Sequence, residues 1–201
     1  MLELVMNYLA HLLLSPEDDH SRLGNVMGDF LRGVDREALP QKVQDGIRLH
    51  HAVDRFTDEH EVVKDLRSRF SPKRRRFAGI ALDVVFDHYL IKHWDKHSSQ
   101  GLDSFIDESY ASLRRGEHLM PERMLRVTRW MMDHDWLRSY EQLSGVGRAL
   151  DGLAGRLQMK HEFHGSIAEI RSNESAIDDG FRKFFPEFIV DIFEEAHRKK
   201  H

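Results

Sequence analysis

Hydrophobic residues recur every three or four positions along most of the chain, which is the spacing of the buried face of an α-helix. No segment shows the strict alternation that predicts a half-buried β-strand. The pattern predicts helices near residues 2–14, 21–32, 40–59, 61–69, 72–97, 102–117, 121–135, 139–157 and 164–199. Ser71-Pro72 is typical of a helix start. Because no Gly/Ser-rich linker interrupts the pattern, we predict one all-α domain over residues 1–201, a helical bundle.

Two of these helices change from apolar to acid-and-histidine along their core-facing side. The first face reads Val43, Ile47, His50, Asp54 and Asp58, and the second reads Phe77, Ile80, Asp83, Val84, Asp87, His88 and Ile91. Spacings of three and four keep each set on one face of its helix. A buried carboxylate is costly unless a cation meets it. A divalent metal held by these side chains would supply that cation, and it points to metal-assisted hydrolysis.

Two earlier helices add residues of the same kind. Asn25 and Asp29 are four apart, as are Asn7 and His11, so each pair shares a helix face. Any single pair is also compatible with an ordinary structural role. His11 could be a hydrogen-bonded core histidine, and Asp83 could pair with an arginine. The metal hypothesis therefore rests on the co-occurrence of the polar groups on four helices.

The composition narrows the chemistry that such a site could use. The chain has no cysteine, which excludes disulfides, thiolate metal sites and thiol nucleophiles. A metal site must then be built from histidine and carboxylate, a donor set that suits Mn, Mg, Fe or Zn. No Gly-x-Ser-x-Gly motif is present, so water activated by a metal is the expected nucleophile. Gly145 and Gly147 follow no predicted strand, so we interpret them as a loop or helix irregularity and not as a phosphate loop.

Charge and hydropathy set expectations about partners and location. The net charge of -4 argues against general nucleic-acid binding. The apolar N-terminus lacks a basic region and a cleavage site, and no apolar run approaches the roughly 18 to 20 residues of a membrane span, so we expect a soluble cytoplasmic protein. Six of the ten residues from Arg67 to Arg76 are basic. This basic segment, with Lys73, Arg74 and Arg75 at its centre, is a candidate dock for an acidic partner, although such runs are often solvated helix ends.

The chain resembles the acyl carrier protein phosphodiesterases in the segments that carry these polar groups. The matching segments are Asn7-Tyr8-Leu9-Ala10-His11, Gly24-Asn25-x-x-Gly28-Asp29-Phe30-x-Arg32-Gly33, Gly46-Ile47-x-x-His50-x-x-Val53-Asp54-x-Phe56-Thr57-Asp58 and Asp83-x-x-x-Asp87-His88-Tyr89-Leu90. The likeness continues through His93-Trp94, Leu150-Asp151-Gly152-Leu153 and Phe184-Phe185-Pro186, and so covers essentially the whole chain.

The resemblance implies an all-helical fold distantly related to HD-domain phosphohydrolases, with the motif order rearranged through Asp87-His88. It also implies a divalent metal, Mn²⁺ first and Mg²⁺ or Fe²⁺ as alternatives, and removal of 4′-phosphopantetheine from the serine of holo-acyl carrier protein. One departure is His51, where the family usually has arginine. The literal His-Asp dipeptide of HD enzymes occurs at His134-Asp135, outside the matching segments, and we interpret it as unrelated to the site.

These observations assign candidate roles to three groups of residues. The metal candidates are Asp29, His50, Asp54, Asp87 and His88. The candidates for orientation or proton transfer are His11, Asp58 and Asp83. Lys73, Arg74 and Arg75 would attract the acidic carrier protein. Two rival hypotheses are an HD-like hydrolase of a small nucleotide or other phosphoester, and a noncatalytic helical binding protein whose histidines and aspartates are structural.

Overall fold

The computed structural model describes residues 8–156 and 163–198, and within them the chain is helical with no β-strand. The predicted all-α class is confirmed. The helices are α1 Tyr8–Leu14, α2 Asp19–Met27, α3 Gln41–Glu59, α4 Glu61–Ser68, α5 Ala78–Lys92, α6 Leu102–Arg115, α7 Glu122–Asp133, α8 Trp136–Ser139, α9 Leu143–Arg156, α10 Ile167–Ser172 and α11 Glu174–Arg198. The prediction for Asn7 lies outside the described residues.

The predicted start of α5 near residue 72 is wrong. A turn and a short 3₁₀ segment, Arg75–Phe77, precede the helix, which begins at Ala78. The Ser71 hydroxyl and backbone N–H both donate to Glu169, at 2.7 and 2.9 Å. Because Ser71 is bound to a residue far along the chain, its side chain does not cap a following helix.

Two other helix predictions differ from the structure. The segment predicted at 121–135 forms α7, and the short α8 that follows it was not predicted; Asp135 between them has a left-handed backbone with φ of 46°. The segment predicted at 164–199 forms α10 and α11 on either side of Asn173. Residues 40–59, in contrast, form α3 almost as predicted, directly after Pro40.

The closest helix packing in the described chain joins α2 to α3. A Cβ atom on Gly24 would lie 2.1 Å from the carbonyl oxygen of Val43, and one on Gly46 would lie 2.4 Å from that of Ser21. Only glycine allows the two backbones to approach so closely at these contacts. The pairing fixes α2 against the first two turns of α3.

Helix α5 is central to the core. It packs against α1, α4, α9 and α11, and most of its residues are buried. Aromatic rings of α11 cover one side of it, with Phe86 5.7 Å from Phe181 and 5.4 Å from Phe184 between ring centroids. Among the described helices, none is both long and apolar enough to cross a bilayer.

Candidate metal centre

His50 and Asp54 lie one turn apart on the face of α3 that meets α2. The His50 side chain is only 2% exposed, and its Nε2 atom lies 3.1 Å from Asp54 Oδ2. The same nitrogen lies 3.4 Å from Oδ1 of Asp29, which belongs to the 3₁₀ turn Gly28–Phe30 after α2. Two carboxylates from different elements therefore converge on one buried imidazole.

His11 joins this group from α1. Its fully buried ring stacks on that of His50, with 4.3 Å between centroids and 21° between planes. Its Nε2 atom lies 3.4 Å from Asp54 Oδ1. The predicted site residues His11, Asp29, His50 and Asp54 are thus brought together by the structure.

Gly28 makes room for this arrangement. A Cβ atom there would lie 2.2 Å from two ring carbons of His50, which is a severe clash. Its φ of -49° is ordinary for a helix, so glycine is required at this position for space. The absent side chain lets His50 lie directly against the turn that carries Asp29.

Asn25 determines which nitrogen of His11 faces the cluster as an acceptor. The Asn25 amide nitrogen donates to the carbonyl oxygen of His11 at 2.8 Å and to Ser15 Oγ at 2.9 Å. Its Oδ1 atom must therefore accept the contact of 2.7 Å with His11 Nδ1, which carries the proton. In the neutral ring, the lone pair is then on Nε2 and points at Asp54.

Several buried polar atoms at this cluster have no hydrogen-bond partner. They are His11 Nε2, Asp29 Oδ2, His50 Nδ1 and Asp54 Oδ1. Unpartnered buried polar atoms are rare and costly. One ligand atom from each of His11, His50 and Asp54 lies within 4.8 Å of the other two, which is compatible with a shared ion. A set of imidazole and carboxylate donors suits Mn, Fe or Zn, so the residues fit the metal type expected from the sequence.

The close approach of histidines and carboxylates shifts the pKa values of His50 and Asp54. Burial opposes charge on His50, but the adjacent Asp29 and Asp54 carboxylates outweigh it and raise the pKa of His50 to about 10. Burial also opposes ionisation of Asp54, yet His11 and His50 hold the pKa of Asp54 well below its usual range. Asp54 therefore stays ionised at neutral pH, and its charge requires a proton or another cation beside it.

Asp83 and Asp58 lie at the edge of the cluster. Burial, together with the charges of Asp54 and Asp58, raises the pKa of Asp83 well above its ordinary value, while Arg67 opposes the shift. Asp58 is exposed and forms an ion pair of 3.1 Å with Arg67 Nη1. Asp58 and Asp83 lie beside the site, and neither belongs to the central group of His11, His50 and Asp54.

Asp87 and His88 are placed with other partners. Asp87 is fully buried, and its two oxygens accept the backbone N–H groups of Leu9 and Ala10, each at 3.0 Å. His88 Nδ1 lies 2.7 Å from the carbonyl oxygen of Tyr140. The structure does not bring either side chain into the group formed by His11, His50 and Asp54, so their assignment as ligands gains no support from the geometry.

The His134-Asp135 dipeptide and the two glycines Gly145 and Gly147 lie in ordinary structural surroundings. Asp135 forms an ion pair of 3.1 Å with Arg138, and His134 is exposed. Gly145 and Gly147 lie within α9, and a Cβ atom on Gly145 would meet the carbonyl oxygen of Ser139 at 1.8 Å. That glycine therefore serves helix packing.

The central basic residues of the segment Arg67–Arg76 have unequal surroundings. Arg74 donates to Glu169 Oε1 at 3.0 Å and to the carbonyl oxygen of His164 at 2.8 Å. Arg75 Nη2 donates to the carbonyl oxygen of Ser68 at 3.2 Å. Lys73 is exposed. Arg74 thus stabilises the tertiary structure. Because Lys73 is exposed, it is the best placed of the three to contact a partner protein.

Two residues near the cluster were not assigned a role from the sequence. Tyr8 is buried, and its pKa is raised well above its ordinary value by burial and then by the Asp29 carboxylate. Its position three residues before His11 on the same helix could have indicated it. Arg67 was recognised only as part of the basic segment. Its contact with Asp58 crosses from α4 to α3, and no periodic spacing reveals such a contact.

Comparison with known proteins shows the family of the chain. The family model for acyl carrier protein phosphodiesterase matches residues 6–188. Relatives named acyl carrier protein phosphodiesterase include one from Photorhabdus laumondii, 35% identical over 90% of this chain and 92% of its own length. Those from Serratia proteamaculans and Enterobacter sp. strain 638 are 34% and 32% identical, each over 92% of this chain and 96% of the relative. No solved structure shows significant similarity to the chain. The chain belongs to the acyl carrier protein phosphodiesterase family.

Proposed function

We propose that this protein is a metal-dependent phosphodiesterase that removes 4′-phosphopantetheine from the serine of holo-acyl carrier protein. The family membership and the names of the relatives support the substrate. The metal dependence is supported by one observation above others: His11 Nε2 and Asp54 Oδ1 are buried 3.4 Å apart, and neither has a hydrogen-bond partner. A metal ion bound between these two atoms would satisfy both of them.

His11, His50 and Asp54 would hold the ion, with Asp29 as a further carboxylate beside His50. Asn25 would keep the Nε2 lone pair of His11 directed at the ion, because its Oδ1 atom accepts the hydrogen bond from Nδ1–H. A bound Mn²⁺, or Mg²⁺ or Fe²⁺ in its place, would supply a Lewis acid for the phosphoryl oxygen and would lower the pKa of bound water.

Asp83 is suited to the proton transfer that the reaction requires. Attack by water at phosphorus breaks the bond to the serine oxygen, which must gain a proton as it leaves. Because burial and the neighbouring carboxylates raise the pKa of Asp83, its carboxyl group is suited to donate a proton to that oxygen. Asp58 would act indirectly, by fixing Arg67.

The direct test is to incubate the protein with holo-acyl carrier protein and Mn²⁺ and to weigh the carrier by mass spectrometry. We expect the carrier mass to fall by that of the phosphopantetheine group, and to stay unchanged with EDTA. Hydrolysis of a nucleotide or small phosphoester, with none of holo carrier, would favour the rival hydrolase hypothesis. Absence of phosphate ester cleavage on every substrate would favour a noncatalytic binding protein.

The basic segment would attract the acidic carrier through Lys73, with Arg74 and Arg75 adding to the local positive charge. Reversal of Arg74 would also break its ion pair with Glu169, so Lys73→Glu is the cleaner variant. We expect Lys73→Glu to lower kcat/KM for holo carrier at low salt and to have little effect at high salt, because screening removes long-range attraction. An unchanged kcat/KM at low salt would place the dock elsewhere, for example at Arg123, Arg126 and Arg129.

A further inference from the structure

Arg67 has an environment unlike that of the other cations in the basic segment. Its Nη1 atom lies 3.1 Å from Asp58 Oδ1, and its side chain is 35% exposed. Asp58 follows Asp54 by one turn on the same face of α3, a rise of about 6 Å. The guanidinium is therefore about one helical turn from the cluster of His11, His50 and Asp54.

The other side of the guanidinium rests on α5. A Cβ atom on Gly79 would lie 2.3 Å from Arg67 Nη2, so the group occupies the space that glycine leaves. Asp83 follows Gly79 by one turn on the same face of α5. Arg67 is thus held between α3 and α5, with a carboxylate of the site close by on each helix.

This position gives the site a fixed positive group for an anionic substrate. A phosphodiester carries negative charge, and Asp29, Asp54 and Asp58 would repel it in the absence of a cation. Asp58 contacts one terminal nitrogen of Arg67, while a guanidinium has five N–H donors in a fork that matches phosphate oxygens. The partial exposure leaves part of that fork open to an incoming ligand.

We propose that Arg67 binds the phosphoryl oxygens of the substrate, with Asp58 and the gap at Gly79 fixing its orientation. The inference rests on the proposed function only for the identity of the molecule that carries the phosphoryl group. The binding chemistry itself is that of a phosphate ester or inorganic phosphate.

Isothermal titration of the Mn²⁺-loaded protein with inorganic phosphate tests this role. Arg67→Ala removes the guanidinium, and Gly79→Ala keeps it but displaces it with a methyl group. Arg69→Ala is the matched control, because Arg69 is adjacent to the same helix and pairs with Asp65 at 3.0 Å. We expect the Kd for phosphate to rise about tenfold or more in Arg67→Ala and in Gly79→Ala, and to stay unchanged in Arg69→Ala.

Wild-type phosphate affinity in a folded Arg67→Ala protein would overturn the proposal, as would the absence of measurable phosphate binding by the wild type. If Arg67→Ala does not fold, Gly79→Ala decides, since alanine is favoured in a helix and the Arg67 charge remains. Unchanged affinity in Gly79→Ala would then overturn it. Phosphate binding through Arg67 without cleavage of holo carrier would contradict the proposed function alone.

Discussion

The molecule contains two acid-and-histidine pairs that look alike in sequence and differ in their surroundings. On α3, His50 and Asp54 meet a third residue, His11, and the group retains buried atoms with no hydrogen-bond partner. On α5, both oxygens of Asp87 accept backbone N–H groups, and His88 is bonded to a carbonyl oxygen.

The difference shows that the partners of a buried carboxylate indicate its role better than its residue type does. Asp87 accepts hydrogen bonds from two backbone N–H groups of α1. It thereby holds the helix that carries His11. Asp54 instead faces Nε2 of His11, an arrangement that a metal ion or a proton on that nitrogen would stabilise.

Substitution of His50 or Asp54 on α3 should have the largest effect, which is a loss of catalytic activity. His50→Ala or Asp54→Ala should lower kcat/KM for holo carrier by more than about 100-fold, because loss of even an outer-shell partner can cost that much. His88→Ala is the control and should retain most activity, since its ring nitrogen contacts only a backbone carbonyl among the bonds described. Steady-state assays with circular dichroism would check both. Activity abolished by His88→Ala but retained by His50→Ala would move the centre to α5.

Gly28→Ala should displace His50 without removing any ligand. The added methyl group would clash with the imidazole ring, so we expect the Kd for Mn²⁺ to rise by about tenfold or more. Gly152→Ala, a helical glycine with nothing within 4 Å of the added Cβ, should leave metal affinity unchanged and stabilise the fold slightly. Equal metal affinity in the two variants would mean that His50 is not a ligand.

The titration of Asp87 should make the free energy of unfolding depend on pH. Burial raises the pKa of Asp87 to about 8, so its contribution to stability is fully present below the unfolded pKa of 3.8 and is lost as pH rises through about 8. Each unit of difference corresponds to about 1.4 kcal/mol. In urea unfolding with EDTA, wild type should therefore lose more stability between pH 5 and 9 than Asp87→Asn does. A parallel pH dependence in the two proteins would show that Asp87 does not titrate in this range.

The smallest effect is expected at the literal His-Asp dipeptide. Asp135→Asn keeps a side chain that tolerates the left-handed backbone and an oxygen that can face the Tyr110 hydroxyl, and it removes a surface ion pair with Arg138. The free energy of unfolding should change by less than about 1 kcal/mol, with metal content and turnover near those of wild type. Metal analysis and denaturant unfolding would check this. Loss of bound metal in Asp135→Asn would show that the His134-Asp135 dipeptide belongs to the metal site.

Local patterns in the sequence predicted the helical class and the pairing of His50 with Asp54, because both depend on spacing along one helix. They could not predict that Ser71 binds Glu169 in place of starting a helix. Nor could they show that Asp87 is occupied by backbone groups of α1, 77 and 78 residues away. These contacts arise from tertiary packing, which helical periodicity does not encode.

Mn²⁺ binding by two isosteric variants tests the metal centre most directly. Asp54→Asn and Asp87→Asn make the same chemical change in the two acid-and-histidine pairs, and electron paramagnetic resonance can count the bound ion in each. We expect Asp54→Asn to lose the ion at concentrations that saturate wild type. Asp87→Asn should still reach wild-type stoichiometry, at somewhat higher Mn²⁺ because its amide can accept only one of the two α1 N–H groups. Retention of the ion by Asp54→Asn together with its loss from Asp87→Asn would contradict the assignment of the centre to His11, His50 and Asp54.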